Sequence, residues 1–331
     1  MSWEVILASF IFAFLAAVIA APILIASARK KGLMGHDVNK PNRPLVAEMG
    51  GFAIFGGLAA GILVGLLAIS FYDNQFQLAV FLLAALASIA FIALIGVFDD
   101  LFKLSARTKL FLPVIASLPL VAVLAGDTTM SLPFFGDVNL GLFYTFILIP
   151  LGITGAANAV NMSAGYNGLE AGIGAVASFF LLVIALSVGS LPAAVILAAC
   201  LGACLAFLYF NWFPAKVFPG DIGTYTIGCA LAAAVILGNM EKFGVIVLIP
   251  AFYELAATLY YSLRKVERRK VCHNPVLKDG KIIPPKGTEC FTLAFFILGR
   301  KPMTERNLVL SMLALYALFG VIALAVFFLH F

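Results

Sequence analysis

The chain has 331 residues, of which 63% are apolar and only 11% are charged, and its formal net charge is +5. An ordinary soluble domain has about 25% charged residues, so the composition excludes a disordered chain, a fibrous repeat and a soluble enzyme of usual composition. It predicts an integral membrane protein in which residues 1–331 form a single polytopic domain.

Apolar runs long enough to cross a bilayer recur along the whole chain. A crossing helix needs about 20 predominantly apolar residues. Ten runs approach or exceed this length: 3–28, 49–70, 77–98, 106–125, 141–157, 170–188, 191–210, 222–238, 243–263 and 307–330. The first run is too long for a signal-peptide core, and its basic residues follow it instead of preceding it. The runs therefore predict an all-α fold with ten transmembrane helices.

The basic residues are distributed unevenly among the connections between these runs. Alternation from an outside N-terminus places the following connections in the cytoplasm: 29–48, 99–105, 158–169, 211–221 and 264–306. Of the 21 Lys and Arg residues, all except Lys242 lie in these connections or at the start of the fourth run. Because basic loops remain in the cytoplasm, this pattern predicts outside N- and C-termini and a cytoplasmic active site. The short connections favour a plasma membrane over the endoplasmic reticulum.

The last connection, 264–306, is the longest, and we expect it to be a cytoplasmic substrate-binding loop. Its segment 271–285 predicts a hairpin, because Asp279-Gly280 is a favoured two-residue turn. The apolar segment 291–298 is too short to span a bilayer. It has two interpretations, which are a packed core of the loop and a segment that docks on lipid.

Two adjacent carboxylates, Asp99 and Asp100, directly follow the third run. Neighbouring carboxylates repel each other unless a cation or a basic group lies between them. One interpretation is therefore a site for a cation or a phosphate, and the other is a solvated acidic cap paired with Lys103. The pair considered alone favours the cap.

The connection 158–172 is unusually polar for a turn between two apolar runs. It contains three Asn, three Gly and one Glu. Glycine lets the backbone approach a ligand closely, and amide side chains bind bases or metals. A flexible glycine-rich turn would need only two or three of these residues, so the composition favours a ligand-binding loop.

Further carboxylates lie at the same predicted face. Asp221 begins the eighth run three residues after Phe218, where it would either cap the helix or bind a metal beside an aromatic platform. The first connection adds Asp37, Lys40 and Glu48. Together, the carboxylates, amides and cations of this rim suit a divalent metal and a polyphosphate substrate.

Six segments resemble the motifs of one enzyme family. They are Asp37-Val-Asn-Lys40, Phe98-Asp99-Asp100, Asn158-Ala-Val-Asn161, Gly165-Tyr-Asn167-Gly168-Leu-Glu170-Ala-Gly172, Asn211-Trp-Phe-Pro-Ala-Lys-Val-Phe218-Pro-Gly-Asp221 and Glu305-Arg306-Asn307-Leu308. In this order and spacing the chain is similar to the polyprenyl-phosphate N-acetylhexosamine-1-phosphate transferases, and most closely to the UDP-GlcNAc:dolichyl-phosphate GlcNAc-1-phosphotransferase branch. The resemblance covers about residues 29–320, and the family's ten-helix fold agrees with the ten runs.

The resemblance implies a metal site and a catalytic group. Mg²⁺, or Mn²⁺ in its place, would bind Asn161 and Asp221 together with the pyrophosphate of the donor. The catalytic residues would be Asp99, Asp100 and Lys109, with the paired aspartates near the acceptor phosphate and the lysine on phosphate oxygens.

The remaining implied residues would bind the substrates. They are Asp37, Lys40, Glu48, Gly165, Asn167, Gly168, Phe218 and His273. Asn167 and the glycines beside it would contact the uracil, with Phe218 stacked on the ring. Asp37, Lys40 and Glu48 would line the same cytoplasmic cavity.

The chain departs from the family's pattern in the last connection. The eukaryotic enzymes have an arginine-rich stretch there that contacts the N-acetyl group, and the bacterial relatives have a histidine-rich motif. The corresponding stretch 272–276 has neither, so His273, Arg268 or Arg269 would have to make that contact. Lys103 stands where the eukaryotic enzyme has an amide, so the acceptor contacts would differ at this position.

The implied reaction transfers GlcNAc-1-phosphate from UDP-GlcNAc to a polyprenyl or dolichyl phosphate and releases UMP, as the first lipid-linked step of N-glycan assembly. Its partners are these two substrates and the bilayer. No nucleic-acid-binding motif is present, and a homodimer is left open. Two alternatives remain: a related enzyme for another UDP-N-acetylhexosamine or undecaprenyl phosphate, and a transporter of nucleotide sugars or lipids.

Overall fold

The computed structural model describes residues 3–73, 75–132, 136–264, 266, 275–285, 287 and 291–329. The α-helices of these residues are, in chain order, α1 (Trp3–Lys31), α2 (Gly51–Ala68), α3 (Phe76–Phe102), α4 (Ala106–Phe111), α5 (Pro113–Ala116), α6 (Leu118–Ala122), α7 (Ile149–Met162), α8 (Leu169–Val188), α9 (Leu191–Asn211), α10 (Gly220–Leu237), α11 (Glu241–Leu263), α12 (Leu293–Arg300) and α13 (Glu305–Phe328). Two π-helical turns, Ile69–Asp73 and Tyr144–Leu148, extend α2 and precede α7.

Within the described ranges, nine helical segments are long and apolar enough to cross a membrane. They coincide with nine of the predicted runs, which confirms the all-α polytopic fold. The fourth run, 106–125, instead forms the three short helices α4 to α6. Pro113 and Pro119 explain this division, since proline lacks the N–H that continues a helix and each begins a new short one. The total of ten crossings stays a prediction.

The divided segment nevertheless extends from one end of α10 to the other, with α5 and α6 packed against α3 and α7. At its start, the Nζ atom of Lys109 lies 3.3 Å from the carboxylate of Asp221, in the first turn of α10. After its end, the Asp127 N–H donates to Oδ1 of Asn239, just beyond α10, over 2.6 Å. Because α10 has 18 residues, it is about 27 Å long. The segment therefore connects the two ends of the bundle.

Helix α10 lies at the centre of the bundle, and every residue from Ile222 to Leu237 is buried. Small residues let the neighbouring helices approach it closely. A Cβ atom on Gly96 would lie 2.6 Å from the Cα atom of Ile222, and one on Gly228 would lie 2.5 Å from the carbonyl oxygen of Ala156. The first contact places the end of α3 against the start of α10, and the second places α7 beside it.

Three short antiparallel hairpins connect the helices of the described residues: β1 (Met34–His36) with β2 (Leu45–Ala47), β3 (Thr129–Leu132) with β4 (Gly136–Asn139), and β5 (Val276–Lys278) with β6 (Lys281–Ile283). In the third hairpin Lys278 pairs with Lys281, and Asp279 and Gly280 have φ angles of 51° and 70°. Positive φ at both positions is typical of the Asp-Gly hairpin turn. The predicted hairpin is therefore confirmed over 276–283, whereas residues 271–274 of the predicted segment lie outside the described residues.

The short apolar segment 291–298, predicted either to pack in the core of the loop or to dock on lipid, contains most of helix α12. Its residues Ala294, Phe295 and Leu298 are buried, whereas Phe296 is exposed. The packed-core interpretation is therefore confirmed for the buried face. His273, with its neighbours in 267–274, lies outside the described residues, so its proposed sugar contact stays a prediction.

Candidate active site

The polar motifs of the sequence gather at one end of the bundle, around an open cavity of about 440 Å³. The cavity lies among the segment after α1, the start of the α4–α6 segment, and the α7–α8 and α9–α10 connections. Seven of the predicted site residues line it: Asp37, Lys109, Asn161, Gly165, Asn167, Phe218 and Asp221. Predicted site residues that are up to 184 positions apart in the sequence, from Asp37 to Asp221, therefore line one cavity.

One side of the cavity brings two carboxylates to a single ammonium group. The Nζ atom of Lys109 lies 2.6 Å from Oδ2 of Asp99 and 3.3 Å from Oδ2 of Asp221. Asp99 is buried, and its Oδ1 accepts the Leu104 N–H over 3.0 Å. Lysine thus separates charges that would otherwise repel each other. The cap interpretation that paired these aspartates with Lys103 is wrong, because Lys103 is exposed and Lys109 makes the ion pair with Asp99.

Asp100 points away from this ammonium group and caps a helix instead. Its Oδ1 accepts the Asp221 N–H over 2.9 Å, and its Oδ2 accepts the Ile222 N–H over 3.4 Å. The first N–H groups of a helix have no partner within the helix, so a carboxylate from α3 satisfies two of those in α10. The adjacent aspartates therefore have different positions: Asp99 faces Lys109, and Asp100 holds the backbone of Asp221.

The same contacts exclude the interpretation of Asp221 as a helix cap. Pro219 occupies the N-cap position without a side-chain cap, and Asp221 is the second residue of the helix, within its first turn. Its Oδ1 accepts from Nδ2 of Asn161 over 2.7 Å, and that amide also donates to Oγ1 of Thr224 over 2.9 Å. Because both amide hydrogens are used, the Asn161 carbonyl oxygen is left as an acceptor.

These donor atoms fit the metal that the resemblance implies. No cluster of three or more His, Cys, Asp or Glu side chains suited to a metal occurs in the part of the chain that the structure describes. Mg²⁺ needs no such cluster, since it is often bound by one or two carboxylates together with substrate phosphates. The Asp221 carboxylate and the Asn161 carbonyl oxygen are hard oxygen ligands of the required type.

A second group of polar residues forms the opposite side of the cavity. Oδ2 of Asp37 lies 2.9 Å from Nζ of Lys40 and accepts from Nδ2 of Asn167 over 2.9 Å. Lys40 also forms an ion pair with Glu305, at the start of α13. Glu305 in turn accepts the Asn167 backbone N–H over 2.9 Å. Asp37, Asn167 and Glu305 are all buried, so this network fixes its members within the fold.

The connection between α7 and α8 is held rigidly by side chains from three elements. The Gly165 N–H donates to Glu170 over 2.9 Å, and its carbonyl oxygen accepts from Nδ2 of Asn39 over 2.8 Å. The Gly168 N–H donates to Asn211 over 3.1 Å. The φ angles of Gly165 and Gly168 are +139° and +84°, a region that side chains disfavour. The connection is therefore a fixed loop and not a flexible turn.

The backbone fixes Phe218 at the edge of the cavity. Its N–H donates to the Ala47 carbonyl, and its own carbonyl accepts the Gly50 N–H, each over 2.8 Å. The side chain is partly exposed and lines the cavity. A ring held this way offers a flat apolar surface in the cavity that Asn167 also lines.

Comparison with known proteins agrees with this arrangement. The profile of glycosyl transferase family 4 matches residues 82–239. A protein of Saccharolobus solfataricus is 32% identical over 320 residues, which cover 96% of this chain and 95% of the relative. The chain belongs to this family. The archaeal relative bears the provisional name UDP-N-acetylglucosamine–dolichyl-phosphate N-acetylglucosaminephosphotransferase.

Two further family members show how the relatives differ. A Dictyostelium discoideum protein with that same enzyme name is 32% identical, over 70% of this chain and 64% of its own length. A phospho-N-acetylmuramoyl-pentapeptide-transferase of Halalkalibacterium halodurans is also 32% identical, over 74% of this chain and 78% of its own length. The chain is therefore a multi-pass membrane enzyme of the glycosyl phosphotransferase class, and the transporter alternative is set aside.

Three of the expected substrate-binding residues that the structure describes do not line the cavity of this family member: Lys40, Glu48 and Gly168. Gly168 instead donates its N–H to Asn211. Glu48 is exposed, and its Oε1 lies directly over Gly35, where a Cβ atom would come within 2.2 Å of it. Lys40 lies behind Asp37, where it contacts Glu305 and the ring of Phe213. Lys40 therefore affects the cavity only indirectly, through its ion pairs with Asp37 and Glu305.

Four residues that hold the site together were not among the predicted site residues: Asn39, Glu170, Asn211 and Glu305. All four lie in the quoted motifs, yet nothing in the sequence assigned them a partner. The sequence feature that could have identified them is an acid or amide at the end of an apolar run. Such a side chain is often buried, and buried polar groups need hydrogen-bond partners. Glu305, at the start of the last run, is the clearest such case.

Proposed function

We propose that this enzyme transfers GlcNAc-1-phosphate from UDP-GlcNAc to a polyprenyl phosphate such as dolichyl phosphate and releases UMP. The observation that carries the proposal is the Lys109 ammonium between Asp99 and Asp221, in one cavity with Phe218 and Asn167. A nucleoside diphosphate sugar needs both an aromatic surface for its base and cationic groups for its pyrophosphate. The names of the archaeal and Dictyostelium relatives support the same substrates.

The donor would lie with its uracil between Phe218 and Asn167 and its pyrophosphate at Lys109. The ammonium group then contacts phosphate oxygens, where it stabilises negative charge as the bond to the leaving group lengthens. Asp221 and Asn161 would hold Mg²⁺, which supplies further neutralisation of the pyrophosphate. Asp100 keeps the Asp221 backbone in place from α3.

The acceptor would reach the same point from the bilayer. Phe98, Phe102 and Phe111 flank the Asp99–Lys109 pair and are 51%, 67% and 66% exposed. In a membrane these rings face lipid, so a prenyl chain can stay among acyl chains while its phosphate enters the cavity. This placement requires no transfer of the chain into water.

The chemical step exchanges one pyrophosphate bond for another. An acceptor phosphate oxygen attacks the β-phosphorus of UDP-GlcNAc, and the bond from that phosphorus to the α–β bridging oxygen breaks, so UMP leaves with that oxygen. A phosphate monoester has a second pKa of about 6, so the acceptor is largely dianionic at neutral pH. Asp99 then serves to position Lys109 and the acceptor, and no general base is needed.

The proposal places this cavity at the cytoplasmic face of a plasma membrane. Its support is the distribution of basic residues. All but one of them lie in or beside the connections that the sequence predicts to be cytoplasmic, and the cavity-lining residues belong to these connections or lie beside them. UDP-sugars are cytosolic substrates in this arrangement.

The proposal is tested by product analysis with purified protein, Mg²⁺, dolichyl or undecaprenyl phosphate and a panel of UDP-N-acetylhexosamines. We expect UMP and a lipid-linked GlcNAc pyrophosphate in equal amounts, with dolichyl phosphate as the better acceptor. UMP formation with a different sugar would correct the donor. Absence of UMP with every pair would reject the function.

A further inference from the structure

The orientation of the Asn167 side chain is determined by chemistry, because its amide group faces a carboxylate. Nδ2 of Asn167 lies 2.9 Å from Oδ2 of Asp37. An ionised carboxylate only accepts hydrogen bonds, whereas an amide has one donating and one accepting end. The Lys40 ammonium lies 2.9 Å from the same oxygen, as expected beside an ionised carboxylate. The NH₂ end of Asn167 must therefore face Asp37.

The other end of the amide is consequently available to a ligand. Asn167 lines the cavity, and its backbone N–H is already used by Glu305. Among the described residues, nothing donates a hydrogen bond to its Oδ1. Asp37 itself is fixed, since Oδ1 accepts the Asn39 N–H over 3.2 Å while Oδ2 binds Lys40 and Asn167. The cavity thus presents an acceptor whose direction cannot reverse while Asp37 is present.

We propose that Asp37 is a positioning residue for base selectivity, because it fixes the Asn167 amide with its acceptor toward the donor nucleotide and so selects a pyrimidine that carries N3–H. This inference rests on the proposed use of the cavity for UDP-GlcNAc. Uracil has a hydrogen at N3, and cytosine has a lone pair there. The Asn167 oxygen attracts the first base and repels the second.

A cytosine base cannot correct the mismatch by sliding along the cavity. Its exocyclic amino group could reach the Asn167 oxygen only if the nucleotide shifted. That shift would move the diphosphate away from Lys109, whose Nζ is held by Asp99 and Asp221 at 2.6 and 3.3 Å. An unsatisfied buried acceptor costs about 1–3 kcal/mol, which corresponds to about a ten- to hundredfold preference for uridine nucleotides.

The test measures binding of UDP and of CDP, each with Mg²⁺, to the full-length protein in detergent. Wild-type protein is expected to prefer UDP by at least about tenfold. Asp37→Ala frees the Asn167 amide to rotate, so the preference should fall to within about threefold of equality. Asn167→Ala removes the acceptor itself and should lower the preference to the same extent, which keeps the test available if Asp37→Ala does not fold.

Glu305→Gln is the matched control. It removes a charge from the same network, but leaves the Asp37 carboxylate on Asn167, so the ratio of UDP to CDP affinity should stay within about twofold of wild type even if both affinities fall. A purely structural role of Asp37 would weaken both nucleotides by the same factor and keep the ratio, which would overturn the inference. So would equal binding of UDP and CDP to wild-type protein. Turnover of UDP-GlcNAc is measured separately, so loss of the proposed function and loss of selectivity are distinguished.

Discussion

The Asp221 carboxylate is available for chemistry because of the residues around it. Asp100 caps the helix that Asp221 would otherwise be expected to cap, and Asn161 and Lys109 contact the Asp221 carboxylate from two directions. At the scale of single residues, one carboxylate of the site, Asp221, is therefore available to the reactants, while another, Asp100, supports the backbone that carries it.

We expect Asp221→Asn to lower turnover by about 10²–10³-fold, the cost typical of losing one electrostatic contact at a transition state. Thermal stability should change little, because Asp100 still accepts from the N–H groups of residues 221 and 222. Raised Mg²⁺ should recover part of the activity. Asp99→Asn, measured beside it, should lose activity that added Mg²⁺ does not restore. Near-normal turnover of Asp221→Asn at low Mg²⁺ would remove this residue from the metal site.

Phe218→Ala tests the base platform. Stacking of a base on an aromatic ring contributes about 1–3 kcal/mol, so the variant should bind UDP-GlcNAc about ten- to hundredfold more weakly. The backbone bonds to Ala47 and Gly50 remain, which keeps the loop in place. Calorimetry or competition binding in detergent measures this change. Unchanged affinity in a folded variant would return Phe218 to a packing role.

At the scale of elements, the site depends on how closely α3 approaches α10. Gly96 removes the side chain that would separate the two helices, and Asp100 then reaches the first turn of α10. The helix end that carries Asp99 and the helix start that carries Asp221 are thereby fixed relative to each other.

Asp100→Ala removes that link. Loss of a helix cap costs about 1 kcal/mol, so the thermal midpoint should fall and turnover should fall with it, because the Asp221 backbone is released. Asp100→Asn keeps an acceptor and should be milder in both measurements. If Asp100→Ala lost turnover at unchanged stability, Asp100 would instead act directly on the reactants, as the family resemblance implied.

At the scale of the whole molecule, the account requires the cavity and the β5–β6 hairpin to be cytoplasmic. An impermeant thiol reagent should not label Lys278→Cys in intact cells, but should label it once the membrane is opened. Asp137→Cys, exposed in the β3–β4 hairpin at the other end of the bundle, should be labelled in intact cells. The native Cys200, Cys204 and Cys229 are buried, and the other two cysteines, Cys272 and Cys290, are replaced by serine in both variants because they belong to the same connection as residue 278. Labelling of the hairpin in intact cells would reverse the topology.

Local patterns predicted the helices well, because length and hydropathy determine where a chain can cross a bilayer. They could not predict that Pro113 and Pro119 would divide the fourth run, since membrane helices often tolerate proline. They also could not predict partners across the sequence. Lys40 and Glu305 are 265 residues apart, and only the packing of α13 against the α7–α8 connection brings them together.

Because one ammonium group joins both carboxylates at the proposed point of reaction, Lys109 provides the most direct test. The measurement is UMP release from UDP-GlcNAc and dolichyl phosphate by Lys109→Gln, with Lys216→Gln as the matched control. Lys216 is exposed at the same end of the bundle, 5.5 Å from the ring centre of Tyr209. The account predicts that Lys109→Gln stays folded and loses about 10²–10³-fold in turnover, while Lys216→Gln keeps wild-type activity. Equal activity of the two variants would contradict it.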